Sequence, residues 1–532
     1  MDPTVRPGFR HVRTALWAIL ALSGLILAAR TLFGPFRFGV SVNSPINAES
    51  FFALAAVVLL MLHSNRSGAL DSSGEPRWKT AVPFILGAGI AAWAWTVRFP
   101  WVADDYAHIA NSLGADGTYL THLFTVPAED RFFRPFVFVA YAAQARVFGT
   151  SREAWHAFSI ALHLANSLLL YGVALRSGLR HWPALAAALL FLLHGSRPEA
   201  VTWIAAQFDL WAAFFFLLAL LAFDRFTRTA QGGWQAASLA ALLLAMLSKE
   251  SAYVFPLAAL LWLYLQGVRG RASARRLAPA LVLTASVFAY RWILLGGLGG
   301  YLPAAANQPS PFAISLTRTP RALTTRLAAT LAFPVNWSHP PAWWLAALIL
   351  AAMAALAVLA AARSQRTQLL YGLGLLLLTA LPVHQFLFID ASLEKSRVLY
   401  LPTAGFALLM AAGWAALRPR AGLWAAAATI VFQTAALEHN LGIWREISAL
   451  AENTCAAVAR AAAASPSLTV SDVPNFIDGV YFLHTGLRPC VEAAAGAPLP
   501  HVRFAYERKR SEADGPWNLR WNDERRGFEP GP

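Results

Sequence analysis

Residues 101–135 read WVADDYAHIANSLGADGTYLTHLFTVPAEDRFFRP. This stretch carries two acidic pairs, Asp104–Asp105 and Glu129–Asp130, together with His108, Asn111, His122, Arg131 and Arg134. Long apolar runs flank it on both sides, so a polar island is set between segments that avoid water. Carboxylates at the edge of a hydrocarbon layer are costly unless they are hydrated or used. The island is therefore the first place to look for chemistry and the point from which topology is read.

Outward from the island, runs of about 15 to 22 apolar residues alternate with short polar stretches, the pattern of helices crossing a hydrocarbon core about 30 Å thick. Of the 532 residues 57% are hydrophobic and 13% charged, and mean hydropathy is +0.49. A soluble domain of that composition would need a mostly apolar surface. A membrane barrel would show ~10-residue alternation, which is absent. The fold class read from this is an all-α polytopic membrane protein.

The formal net charge of +15 could suggest nucleic acid. Yet it is carried almost wholly by arginines scattered in short loops, the mark of positive-inside topology, so no nucleic-acid partner is expected. With the basic N-terminus inside, spans are expected over 14–33, 47–63 and 80–97, the third delivering the island to the outer face. The run 136–148 is short for a crossing and contains Gln144 and Arg146, so it reads as a helix lying on the outer surface. That reading sets the parity of spans 154–175, 183–197, 209–224, 234–247, 252–268, 277–296, 341–362, 368–384, 398–417 and 421–438.

The sum is about 13 spans, with a long outer loop over 297–340 and a second surface helix near 321–333. Short arginine clusters then fall on the cytoplasmic side. The chain divides into a hairpin (1–79), a transmembrane catalytic domain (80–440), a small extracytoplasmic α/β piece (441–506) and a disordered tail (507–532). Both cysteines, Cys455 and Cys490, lie in the small piece. A disulfide between them suits an oxidising outer face, and two separate thiols are the alternative. An integral inner-membrane protein with a periplasmic active face and C-terminus is expected.

Topology accounts for loop arginines but not for the charges it places outside: Arg131, Arg134, Arg197, Lys249, Arg291, Arg318, Arg321, Arg326, Lys395, Arg397 and the acids Asp104, Asp105, Glu129, Asp130, Glu199, Asp209, Glu250, Asp390 and Glu394. Arginine and lysine near the outer headgroups suit a phosphate. A carboxylate in a half-dry cleft suits a general base toward a hydroxyl. For single residues the plain alternatives are snorkelling, a headgroup-level ion pair at Lys249–Glu250, and a helix cap at Asp209. Histidines are dispersed, so a dedicated zinc site is not indicated, although acids with histidine admit a divalent cation such as Mg or Mn. No phosphate-binding glycine loop is present, nor a dinucleotide fingerprint.

Six segments, DDYAHIAN, RPFVFVAYAAQARVFG, HAFSIALHLANSLLLY, HGSRPEAVTWIAAQFDLWAAFFFLLAL, LLAMLSKESAYVFPLAALL and SRVLYLPTAGFALLM, in this order resemble the membrane half of the transmembrane-and-TPR O-mannosyltransferases and their bacterial relatives, within the GT-C glycosyltransferases. The resemblance covers roughly residues 80–440. It implies a sugar taken from a polyprenyl-phosphate donor on the outer leaflet and passed to a hydroxyl acceptor.

It further implies Asp104, Asp105 and Asp209 as catalytic acids. Arg134, Lys249, Glu250 and Arg397 map as donor-binding; by their place in the island, and not by the resemblance, Arg131 joins the phosphate side with His108, and Glu129 and Asp130 stand as a second acid or a metal contact. This sequence departs from the family at His194-Gly195, where His-Pro is usual, and it lacks a TPR array. A transporter or flippase, which would show inverted repeats and midplane charges, and a scaffold without chemistry are the competing readings. Convergence or scatter of Asp104, Asp209, Lys249 and Arg397 discriminates among them.

Overall fold

The computed structural model describes residues 78–128, 132–297, 327–336, 365–382, 392–465, 467–483, 485–504 and 519–529, with single residues at 299 and 389 and parts of 14–26 and 36–42. The spans expected at 47–63 and 341–362, and Glu129, Asp130 and Arg131, lie outside the described residues. In chain order the helices are α1 (Trp78–Trp93), α2 (Asp105–Leu113), α3 (Gly117–Thr125), α4 (Pro135–Phe148), α5 (Arg152–Arg176), α6 (His181–Leu192), α7 (Pro198–Val201) and α8 (Gln207–Thr229). They continue with α9 (Gly232–Met246), α10 (Phe255–Leu265), α11 (Gly270–Leu295), α12 (Leu327–Ala332), α13 (Arg366–Ala380), α14 (Pro402–Ala416), α15 (Pro419–Ala464) and α16 (Leu487–Ala495).

Among the described residues five helical segments have the length and hydropathy to cross a membrane: Trp78–Arg98, Arg152–Arg176, Ile204–Thr229, Gly270–Leu295 and Pro419–Ala464. Shorter apolar helices, among them α4, α6, α9 and α14, pack between or beside them. The innermost is α6, buried at every position from Trp182 to Leu192. A helix apolar all round has no face to give to water and becomes the centre of the bundle. Around it stand α5 and α14, while α8 pairs with α9 and α13 with α14. The last pair touches backbone to backbone, since a Cβ on Gly372 would come within 2.6 Å of the Leu409 nitrogen. Small residues permit that approach, which substitutes dispersion for the absent hydrophobic drive between helices in lipid.

Helix α8 carries a buried acid near each end. Asp224 accepts from Arg228 Nε at 2.9 Å, Trp262 Nε1 at 3.2 Å and Gln266 Nε2 at 3.2 Å, and Arg176 Nε stands 3.4 Å away. This knot ties α5, α8 and α10 together. Asp209, fifteen residues earlier and so about 22 Å up the axis, faces the site described below.

The C-terminal part departs from expectation in two ways. The span expected over 421–438 is the first part of α15, which runs unbroken to Ala464, so the 440/441 boundary falls inside one helix. The tail expected to be disordered contributes two strands. β3 (Leu468–Ser471) lies parallel to both β6 (Val502–Phe504) and β7 (Leu519–Asn522), and β7 pairs antiparallel with β8 (Gly527–Glu529). Trp521 supplies the reason: it is buried, with ring centroids 5.3 Å from Phe482 and 5.5 Å from Phe528. The remaining strands are β1 (Phe36–Phe38) with β2 (Val40–Val42), and a hairpin of β4 (Phe476–Ile477) with β5 (Val480–Tyr481).

Cys455 on α15 and Cys490 on α16 form a disulfide, with Cα atoms 5.8 Å apart. It closes a loop with a sequence separation of 35, for which the chain-entropy model assigns about 2–4 kcal/mol. Replacing both cysteines by serine is therefore expected to speed hydrogen exchange and proteolysis across 468–504, while helices α5 to α8 keep wild-type protection.

Candidate active site

At the head of α2 the chain turns through Ala103, whose φ of 42° is a left-handed value that a side chain adopts only when its surroundings hold it. Its N–H donates to the Phe482 carbonyl at 2.8 Å. The turn sends the two acids apart. Asp105 is wholly buried, its Oδ1 accepting from the Ala205 N–H at 2.7 Å and its Oδ2 from the Val102 N–H at 3.2 Å. Burial pushes its pKa well above the ordinary carboxylate value, against the two backbone donors that lower it. Asp105 thus fastens the island to the turn before α8 and has no open oxygen for a substrate. Asp104 is half-buried and takes a hydrogen bond from the Thr485 hydroxyl. Of the pair predicted to be catalytic, only Asp104 can be reached.

The basic residues arrive from other helix ends, each with an acid. Lys249, after α9, donates to Asp209 Oδ1 in the first turn of α8 at 2.5 Å, both side chains under a tenth exposed. Asp209 is thus inside the helix, not at its cap. Burial lowers the Lys249 pKa, and Asp209 opposes that shift. Arg134, just before α4, grips Glu250 with Nε at 3.1 Å and Nη2 at 2.8 Å, and Arg291 at the end of α11 stands 3.7 Å from the same carboxylate. Arg397, before α14, pairs with Glu199 of α7, which also accepts from Ser396 Oγ at 3.2 Å. Burial works against the Arg397 charge, but Glu199 beside it raises the pKa, so the guanidinium stays protonated.

These pairs belong to one cluster. Lys249 feels Arg134 and Arg397 as well as Asp209, and Tyr141 of α4 lies in the field of Asp105, Asp104, Asp209 and Arg134 together. His108 stands at its edge, stacked 5.7 Å from Tyr141 and enclosed by Phe138 and Phe208. Asp209, Lys249 and Arg397 thus share one neighbourhood, and Asp104 lies with Asp209 and Arg134 in the field at Tyr141. Among the described residues no group of three or more histidines, cysteines and acids is placed to hold a metal ion.

Two residues were read in the sequence as outer-side charges without a role in a site. Glu199 anchors Arg397. Arg197 is fully buried, its guanidinium over the rings of Phe191 and Tyr400 at 4.9 and 4.6 Å, with Nε and Nη2 unbonded among the described residues. Both sit in HGSRPEAV, and the signal was there: two charges in a run otherwise apolar for many residues. Gly195, where the family has proline, is held by Gln433 and Asn440 through its N–H and carbonyl, at 3.1 and 2.7 Å. A Cβ there would come within 2.7 Å of the Pro334 carbonyl, so the turn suits glycine.

A bundle of apolar helices carrying this cluster at the helix ends is what the expected resemblance to the GT-C glycosyltransferases calls for. Residues 134–294 match the family model for dolichyl-phosphate-mannose-protein mannosyltransferase, and the resemblance to that class stands on this match together with a related sequence. That sequence is the protein O-mannosyl-transferase Tmtc2 of Drosophila melanogaster, 29% identical over 187 residues, which are 34% of this chain and 19% of that protein. The matched stretch thus spans about a fifth of its relative. Among solved structures the chain is similar to ArnT from Cupriavidus metallidurans bound to undecaprenyl phosphate, at 14% identity and a TM-score of 0.43, covering 79% of this chain and 85% of that one. The apo form of ArnT gives 16% identity and a TM-score of 0.36, over 79% and 84%.

Proposed function

We propose that the chain transfers a sugar from a polyprenyl-phosphate donor to a hydroxyl acceptor at the outer face of the membrane, with mannose as the sugar. One observation carries the reading. Arg134 and Arg291 on Glu250, Lys249 on Asp209 and Arg397 on Glu199 bring basic groups from separate helix ends together, with the buried Arg197 guanidinium among them and the Asp104 carboxylate open nearby. Basic groups gathered beside an open acid fit a phosphodiester next to a general base.

In this mechanism Asp104 takes the proton of the acceptor hydroxyl as its oxygen attacks the anomeric carbon. The bond from that carbon to the phosphate oxygen breaks, and the polyprenyl phosphate leaves with inversion. Charge develops on the leaving phosphate, and preorganised cations stabilise it best where water is scarce. The acid partners fix where the cations point. A guanidinium has five N–H donors and an ammonium three, so Arg134, Arg397 and Lys249 can hold their carboxylates and a phosphate at once. Asp209 acts through Lys249, and Glu250 through Arg134.

The test is retention of lipid by the purified protein. Native mass spectrometry with undecaprenyl phosphate and with undecaprenol is expected to show the phosphate retained and the neutral alcohol lost, because headgroup charge distinguishes them. Equal retention of both would remove the phosphate site from the reading.

A further inference from the structure

After β3 the chain folds back across the active site. The β4–β5 hairpin lays Tyr481 flat on Trp203, ring centroids 4.3 Å apart and planes 19° apart, and Arg397 sits over both rings, 4.5 Å from Trp203 and 5.0 Å from Tyr481. One residue on, the Phe482 carbonyl accepts the N–H of Ala103 at 2.8 Å. Gly486 rests on that same turn, where any Cβ would run into the Ala103 carbonyl. Between these two anchors Thr485 Oγ1 donates to Asp104 Oδ1, a contact between residues 381 positions apart.

We propose that this C-terminal segment completes the active site and that Thr485 is a positioning residue, aiming the Asp104 carboxylate at the acceptor. The inference rests on Asp104 being the base. An aspartate at the mouth of a site turns freely about its side-chain bonds unless something holds it, and geometry off by about an ångström costs up to roughly a hundredfold in rate. The Thr485 hydroxyl occupies Oδ1. Among the described residues nothing else bonds this carboxylate, so Oδ2 is the oxygen that meets the acceptor proton. The segment is itself held in place: Tyr481 is stacked on Trp203, and the Cys455–Cys490 disulfide anchors α16, which begins right after Gly486. The hydroxyl is thus delivered on a fixed support and not on a loose loop.

The full chain in nanodiscs is given undecaprenyl-phosphate-mannose together with a serine- and threonine-containing peptide as hydroxyl acceptor, and release of undecaprenyl phosphate is followed for wild type, Thr485→Val, Thr485→Ser and Asp104→Asn. Mass spectrometry verifies the disulfide in each. Valine keeps the shape of threonine and loses the donor, so kcat is expected to fall roughly tenfold with KM unchanged, and serine to restore it. Wild-type turnover by Thr485→Val overturns the inference, as does equal impairment of the valine and serine variants, which would mean that bulk and not the hydroxyl matters. An inert wild type, or an active Asp104→Asn, overturns the reading of Asp104 and the inference with it. A live wild type with an unaffected valine variant overturns the inference alone.

Discussion

Asp104→Asn is expected to lower sugar transfer roughly 100- to 10,000-fold, the range that general-base catalysis contributes, while undecaprenyl phosphate is still retained. The asparagine fills the same space and still accepts from Thr485 through its carbonyl oxygen. What it loses is the capacity to take a proton. The neighbouring substitution, Asp105→Asn, is expected to act differently. Both Asp105 oxygens meet backbone N–H donors, and an amide must turn its own NH2 toward one of them, at a cost of about 1–3 kcal/mol.

That loss appears as lower thermal stability, with activity falling in proportion to folded protein. Its pH dependence has a definite sign. A folded pKa raised above the ordinary value means that the stabilisation from Asp105 is complete below the usual carboxylate range and is lost as pH rises toward the folded value. Asp105→Asn removes that dependence. Thermal melts of both variants across pH, set beside turnover of undecaprenyl-phosphate-mannose, separate the two acids. Equal stability loss with equal residual activity would contradict the division of roles.

Lys249→Met carries the second large effect. It strands Asp209 in a site where the carboxylate is 7% exposed and its Oδ2 has no hydrogen bond among the described residues. Removing one partner of a buried ion pair costs about 3–5 kcal/mol, because the other charge is left without compensation. The double variant Lys249→Met/Asp209→Leu removes both charges and is expected to regain most of the stability, since apolar replacements of a buried pair are often neutral. Transfer should not return with it. Thermal challenge followed by size exclusion reads stability, and release of undecaprenyl phosphate reads transfer. A double variant as active as wild type would confine this pair to folding.

The helical character and the polar island were legible in the sequence because apolar run length and composition are local properties, set by the thickness of a hydrocarbon layer. The clustering of Asp104, Arg134, Asp209, Lys249 and Arg397 was legible as position at helix ends, read with the order of the family segments. Which charge meets which was not. Lys249 and Glu250 are neighbours in sequence, and the natural guess pairs them, yet the turn between α9 and α10 sends one to Asp209 and the other to Arg134. Nor did Asp104 and Asp105 differ as letters. Their separation depends on the left-handed turn at Ala103, and that turn is held by Phe482, far along the chain.

The tail marks the same limit. Charge and polarity after Glu507 suggested disorder, but Trp521 finds Phe482 and Phe528, and two strands join the sheet. By itself the sequence determined what repeats along the chain: apolar periodicity, charge placed at helix ends, and the residue types available for chemistry. The tertiary structure alone decided the partners, namely which acid is buried and which open, which cation each carboxylate holds, and that a segment past residue 470 closes on the island at 104. Such pairings depend on where separate helix ends meet in space, and no local preference encodes that.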